Sequence, residues 1–224
     1  MKCGALMAIV VLSLSSCDAP GRRAAEVRAI RPTEVTSFDE LFSQNCSGCH
    51  GKNGQGALTV GIGRPVYLAI VDDTTIRRTI EEGRSGTPMA AFAKHAGGML
   101  TDEQIEILVR GIRNWARSGA VDHENLPPYT SSSGGDVARG REVFRTECSS
   151  CHGQDGRGAW AIADSSYLAL VTDQHLRTVI IVGMPNLGMP DWRGHLKPLT
   201  DSDVTDLVAW LASRRESLSA HLEH

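Results

Sequence analysis

Two thiols and an imidazole stand within five residues at Cys46-Ser47-Gly48-Cys49-His50, and the spacing returns at Cys148-Ser149-Ser150-Cys151-His152. Five residues are little more than one helical turn, so each set must reach a single object from one side. C-x-x-C-H is the pattern of covalent c-type haem attachment. The thiols of Cys46 and Cys49, and of Cys148 and Cys151, form thioethers with the vinyl groups. His50 and His152 then face the iron as proximal ligands. A bare C-x-x-C would equally suit a redox dithiol or half of a zinc site. The histidine in both copies points to haem, and the sequence has no further C-x-x-C to complete a zinc set.

The rest of the chain is duplicated around these motifs. Tyr67-Leu68-Ala69-Ile70-Val71 matches Tyr167-Leu168-Ala169-Leu170-Val171 at an offset of 100. At that offset Asp73, Arg77, Ile80, Gly83, Met89 and His95 also meet their like. The haem motifs match at 102 and the last helices at 99, so the copies differ by a few loop residues. Units of this length are tandem domains and not the short repeats of a solenoid. We divide the chain into a leader (1–16), a tether (17–33), domain one (34–118), a linker (119–136), domain two (137–216) and a tail (217–224).

Each domain has the same expected order. A short helix (Ser37 to Gln44, Val137 to Thr146) precedes the haem motif, and a glycine-rich loop follows it. Glycine there lets backbone pass close to the haem edge. A middle helix spans Asp73 to Glu82 or Asp173 to Val182, and a Gly/Pro loop comes next. The closing helix starts at Thr101 or Thr200. Thr101-x-x-Gln104 has the form of a capping box. Ile105, Leu108, Ile112 and Trp115 recur at helical spacing, as do Val204, Leu207, Val208 and Leu211. The linker holds Pro127-Pro128, three serines and three glycines, so it should be semi-rigid at the prolines.

Charge excludes one class of partner. Each domain carries nine Lys/Arg against ten Asp/Glu. Neither has the basic excess that nucleic-acid binding needs. All six cysteines have a place: four in the haem motifs, Cys3 in the leader and Cys17 at the start of the tether. Covalent haem, and not disulfides, is expected to staple the fold.

Residues 1–16 read as an export signal, with Lys2 ahead of an eleven-residue apolar run from Gly4 to Leu14. That run is too short to span a bilayer. Leu14-Ser15-Ser16-Cys17 resembles the lipobox of bacterial lipoproteins. The resemblance implies cleavage before Cys17 and lipidation of its thiol. Asp18 then implies retention on the inner membrane in enterobacterial members. An ordinary signal peptide with an incidental cysteine is the alternative. Several acyl chains, each contributing about 0.8 kcal/mol per buried CH₂, would anchor stably. The tether carries Arg22, Arg23, Arg28 and Arg31, which suit anionic headgroups or simply solvent.

The order of elements around the two motifs resembles the class I cytochrome c fold, over both domains. The resemblance implies an all-α protein of two tandem class I domains, each with one covalently attached haem c. It also implies a methionine sulfur on the face opposite each histidine. Met89 and Met189 lie 39 and 37 residues after His50 and His152, in aligned proline-bearing loops. Core filling is methionine's usual role, but the matched position favours ligation. Met184 is the rival at the second haem, and its counterpart is Arg84. His95 and His195 leave a bis-histidine alternative. His/Met ligation would raise the reduction potential.

In class I domains the first and last helices cross closely, a small residue against a large one. Aligning the copies pairs Phe38 with Gly111 and Gly140 with Trp210, an inverted arrangement that conserves volume. The resemblance further implies a proline carbonyl accepting a hydrogen bond from the proximal histidine. Pro65 can serve His50, whereas the aligned residue in domain two is Ser165. Tyr67, Tyr167, Trp160 and Trp192 are candidates for the haem pockets or for ordinary core. Arg64, Arg77, Arg177 and Arg193 are candidate propionate partners.

These readings predict a membrane-tethered electron carrier with two haem c groups, working with redox partner proteins of a bacterial respiratory chain. Its place would be the periplasmic face of the inner membrane, held by lipid on Cys17. A six-coordinate haem has no open iron position, so no catalytic residues or small-molecule substrate are expected. A haem subunit fixed in a larger oxidoreductase is the second reading, and a dihaem peroxidase the third.

Overall fold

A computed structural model describes residues 29–215 apart from 57, 58, 119, 120, 122, 159 and 195. The leader, Cys17 and His195 lie outside the described residues. The described residues from Pro32 to Arg215 belong to one compact unit. Domain one contains α1 (Phe38–Asn45), α2 (Ser47–His50), α3 (Pro65–Ile70), α4 (Asp73–Glu82) and α5 (Asp102–Asn114). Domain two repeats them as α6 (Val137–Glu147), α7 (Ser149–His152), α8 (Ser165–Leu170), α9 (Asp173–Val182) and α10 (Asp201–Ala212). Among the described residues the only β pairings are two isolated bridges, Ala93 with Leu100 and Met184 with Met189.

The helices begin where side chains can satisfy their free N–H groups. Ser37, Asp72 and Thr101 cap α1, α4 and α5, and Asp136, Thr172 and Thr200 cap α6, α9 and α10. Each such cap contributes about 1 kcal/mol. The capping box at Thr101 and Gln104 forms as expected, and Gln104 Nε2 also donates to the carbonyls of Pro32 and Val35. Both middle helices have the expected bounds. The short helices α3 and α8 were not expected. Six residues are too few for periodicity to show, although Pro65 at the first turn of α3 is a start signal.

The crossing of first and last helices closes each domain, and it is inverted between them. A Cβ on Gly111 would overlap the Phe38 ring, so that ring lies directly on α5. Phe38 and Phe42 then meet Trp115 edge-on, at centroid distances of 5.3 and 5.0 Å. In domain two the glycine is on the first helix. A Cβ on Gly140 would overlap the Asp206 carbonyl oxygen and crowd Trp210 Cβ. The Trp210 ring stacks at 4.4 Å on Phe144.

The two domains share one interface, built from α3 and α9. Val66 and Ile70 of α3 pack on the core of domain two, while Val179 and Val182 of α9 pack on that of domain one. The segment between the domains is held there and is not a free spacer. Arg177, 3% exposed, donates to the carbonyls of Pro128 and Tyr129, to Thr205 and to Asp201. Gln174 donates to the same Tyr129 carbonyl, and Arg84 donates to the Tyr129 hydroxyl. The proposed semi-rigid linker is therefore a strap bound by both domains.

One clamp recurs that the repeat alignment hides. Arg113 donates to the carbonyls of Leu68 and Val71 and pairs with Asp73. Arg215 does the same with Leu168, Val171 and Asp173. The acceptors are equivalent, but Arg113 lies within α5 whereas Arg215 follows the end of α10, three positions further along in the alignment. Either register lets a long guanidinium reach the frayed end of the short helix.

Two outcomes follow from this packing. Gly111→Ala and Gly140→Ala each gain about 1 kcal/mol of helix propensity but lose more to overlap, for a net cost of about 2 kcal/mol. The obstacle to Gly111→Ala is a side chain, so adding Phe38→Leu should recover stability. The obstacle to Gly140→Ala is backbone, so no single side-chain change should recover it. Urea denaturation of the haem-loaded variants reads both. The second outcome concerns Asp203, which closes the capping box of α10 with Thr200 and lies near Lys197 and Arg139. Burial pushes its carboxyl upward, but the Thr200 hydrogen bonds and the two cations leave it below its ordinary value. A depressed folded value means stability held above the carboxylate range and lost as pH falls through it. Asp203→Asn should cost about 2 kcal/mol at neutral pH, and the gap to wild type should close in acid.

Candidate functional site

Each haem motif is held by the end of the preceding helix. The Cys46 and Cys148 N–H groups donate to Phe42 and Phe144 carbonyls at 2.9 Å, closing α1 and α6. One further turn, α2 or α7, then carries the second cysteine and the histidine to the same side. Cys49 and Cys151 are exposed, while Cys46 and Cys148 are half-buried, and none of the four is in a disulfide. Burial pushes Cys46 and Cys148 up to about 12, with Cys49 adding to the first and Glu147 and Cys151 to the second. Both are protonated thiols at neutral pH.

The loop after each motif turns back at once. Gly56 N–H donates to the His50 carbonyl and Gly158 N–H to that of His152, both at 2.8 Å. Gly51 and Gly153 have φ of +74° and +79°, and a Cβ on Gly51 would lie 2.8 Å from the Gly56 carbonyl oxygen. The glycines are thus needed for the loop to close on itself, a different reason from close approach to a haem edge.

The proximal histidines are supported differently from the expectation. His152 Nδ1 lies 3.0 Å from the Trp160 carbonyl. His50 Nδ1 is buried without a well-formed hydrogen bond. Burial lowers the His50 imidazole below its ordinary value, and the Val60 backbone opposes that shift. Pro65 does not provide the acceptor; it opens α3 instead. Its absence in domain two therefore deprives His152 of nothing. A carbonyl in the loop serves there, and a backbone acceptor leaves no side-chain signature in the sequence.

In domain two the motif faces a cavity of about 230 Å³. Cys148, Cys151 and His152 lie on its wall together with Met184 and Met189. The remaining lining is largely apolar, from Phe144, Ile162, Leu176, Ile180, Leu207 and Leu211. Trp160 and Tyr167 also line it, and Trp160 is 55% exposed at the rim. Glu147 contributes a buried carboxylate oxygen with no hydrogen-bond partner. Two thiols and an imidazole, thioether sulfur and apolar walls fit a flat iron macrocycle that is attached covalently at one edge. Burial of both sides of such a ring also supplies the apolar area that a chain with few aromatics lacks.

The methionine loops of the two domains close alike. Phe92 and Trp192 N–H groups return to Ile80 and Ile181 carbonyls, and Leu100 and Leu199 N–H groups then bond to Phe92 and Trp192 carbonyls. They differ at the methionine itself. Met89 N–H donates to Thr87 Oγ1, and only Arg84 N–H returns to the Met89 carbonyl. Met184 and Met189 exchange both bonds, at 3.0 and 3.2 Å. Met89 is half-buried, and His95 is exposed on a 3₁₀ turn.

The arginines have other duties than the propionate contacts suggested for them. Arg77 pairs with Glu106 and Glu81, and Arg177 holds the strap. Arg64 donates to Asn186 Oδ1 across the domain interface, and Arg193 pairs with Asp191. Arg64, Arg193 and the buried Trp192 line a second cavity, of about 220 Å³.

The chain is similar to known proteins. The family described as cytochrome c oxidase, cbb3-type, subunit III matches residues 33–110 and again 135–211. The cbb3-type cytochrome c oxidase subunit CcoP of Azospirillum sp. is 30% identical over 54% of this chain and 40% of its own length. Subunit FixP of Bradyrhizobium diazoefficiens is 30% identical over 71% of the chain and 55% of its own. The cytochrome bc1 complex cytochrome c subunit of Corynebacterium diphtheriae is 24% identical over 89% and 73%. The chain thus spans about half the length of the curated cbb3-type relatives it matches. With two matched segments over more than half of its residues, the chain belongs to the cbb3-type cytochrome c oxidase subunit III family and is an electron-transfer cytochrome of two tandem all-α domains, each with a covalently bound haem c.

Proposed function

We propose that the chain is a membrane-tethered dihaem carrier of single electrons in a bacterial respiratory chain, one haem in residues 34–118 and one in 137–216. The observation that carries this reading is the cavity of domain two, where Cys148, Cys151 and His152 share a wall with thioether sulfur. Cys46 and Cys49 attach the first haem, and Cys148 and Cys151 the second. His50 with Met89 and His152 with Met189 complete the iron coordination. A bound haem supplies reversible one-electron chemistry. With both axial positions filled by protein, no position is left for substrate, which argues against a peroxidase. The protein's own contribution is to exclude water from the ring and to set the basicity of the ligands.

Cys17 is the anchor in this reading, placing the protein on the periplasmic face of the inner membrane. Among the described residues no helix is long and apolar enough to cross a membrane. A second reading is favoured by the relatives, whose names make them subunits of cbb3-type oxidase and bc1 complexes. The chain would then be a haem subunit held permanently in such an assembly.

A spectroscopic redox titration tests the site. With Nε2 on the iron, His152 Nδ1 carries the proton and donates to Trp160, which raises ligand basicity and favours the oxidised state. The second haem should therefore titrate at the lower potential. Met89→Leu should remove half of the far-red sulfur-to-iron absorption and lower the first haem's potential by on the order of 0.1 V. Full retention of that absorption would remove Met89 from the ligand set. A separate experiment distinguishes carrier from subunit. Cys17→Ser should release a free carrier alone into the soluble envelope fraction, whereas a fixed subunit should stay with its complex.

A further inference from the structure

The second haem site holds more sulfur than it needs. Met184 and Met189 are directly opposed in an antiparallel bridge and exchange both backbone hydrogen bonds. Residues paired in this way project their side chains to the same face, with Cα atoms about 5.5 Å apart. Both methionines line the cavity that contains His152. The bridge closes a short loop whose centre is the 3₁₀ turn Pro185–Leu187, ended by Gly188 at φ +80°. The loop is tied at its tip, because Asn186 Nδ2 donates to the Gln55 carbonyl and Asn186 Oδ1 accepts from Arg64. A loop fixed at base and tip can change which sulfur it offers only through side-chain rotation, and methionine's three rotatable bonds allow that.

Domain one has no such choice. Arg84 stands where domain two has Met184, and it is committed to the Tyr129 hydroxyl and ring. Met89 N–H is turned to Thr87 instead of to Arg84.

We propose that Met184 and Met189 are alternative axial donors to the second haem, both populated, exchanging one iron–sulfur bond for another with no change of charge. The inference rests on methionine ligation of that haem and adds a second donor to it. Because donor type is conserved, the exchange keeps the iron six-coordinate and its potential high while the loop and its docking on domain one stay in place.

The test uses the full chain carrying both haems, as wild type, Met184→Leu, Met189→Leu and the double variant. Leucine conserves volume, so the cavity wall is kept. Each single variant should retain the wild-type far-red sulfur-to-iron absorption, and the double variant should lose half of it. Loss of half in Met189→Leu alone overturns the proposal and leaves Met189 as sole ligand. Loss of half in Met184→Leu alone also overturns it and removes Met189 from the site. Full retention in the double variant overturns the proposal together with methionine ligation of this haem. Wild-type EPR gives a readout that needs no variant. The oxidised protein should show two low-spin signals from the second haem besides that of the first, and a single signal per haem refutes the exchange.

Discussion

In each domain the first and last helices cross at a glycine, Gly111 under the Phe38 ring and Gly140 against the Asp206 carbonyl. That contact sets the position of everything that touches the haem. The first helix ends in the attachment turn, so its angle fixes where both thiols and the imidazole point. The last helix follows the methionine loop, so its position fixes the opposite wall. With Gly140 on the Asp206 carbonyl, or Phe38 on Gly111, the two walls are referred to one point of contact. Interior packing density leaves little room for adjustment. The inversion between domains shows that the summed volume matters there, and not which helix supplies the large residue.

The second organising contact is between the domains. The short α3 and the middle helix α9 exchange apolar residues, so each core includes side chains of the other. Buried Arg177 then holds the strap by its carbonyls, which are satisfied acceptors in a place water does not reach. Breaking such a set would strand several polar groups at once. Both attachment motifs are in this way held within one packed unit. Asn186 adds a direct link from the methionine loop of domain two to Gln55, in the loop that follows the first haem motif.

Much of this was legible in the sequence because it depends on side-chain identity at fixed spacing. The attachment turns, the duplicated order, the middle helices, the Thr101 box and the inverted crossing all have that character. What was not legible depends on backbone atoms or on long reach. The acceptor for His152 is a carbonyl of Trp160, and any residue could supply it. The Arg113 and Arg215 clamp survives a shift of almost one helical turn because a guanidinium spans that distance, so alignment alone separates two equivalent residues. Arg77 and Arg177, suggested as propionate partners, have other partners for a related reason. Charge marks a residue as able to bind an anion, but a carboxylate or a strap of carbonyls takes up the same donors.

The difference between Arg84 and Met184 follows from where the strap lies. The chain between the domains passes once, and it passes the methionine loop of domain one. Arg84 there has a phenol to bond and a ring to cover, at 6.0 Å from guanidinium carbon to centroid. It is also one of the charges that lower His175 on the facing helix, after burial itself. The position equivalent to Arg84 has no phenol to hold and opens onto the apolar cavity instead. A charged side chain would be costly there, and an unbranched thioether fits. The two haem sites thus differ because duplication of a domain cannot duplicate the single connection between its copies.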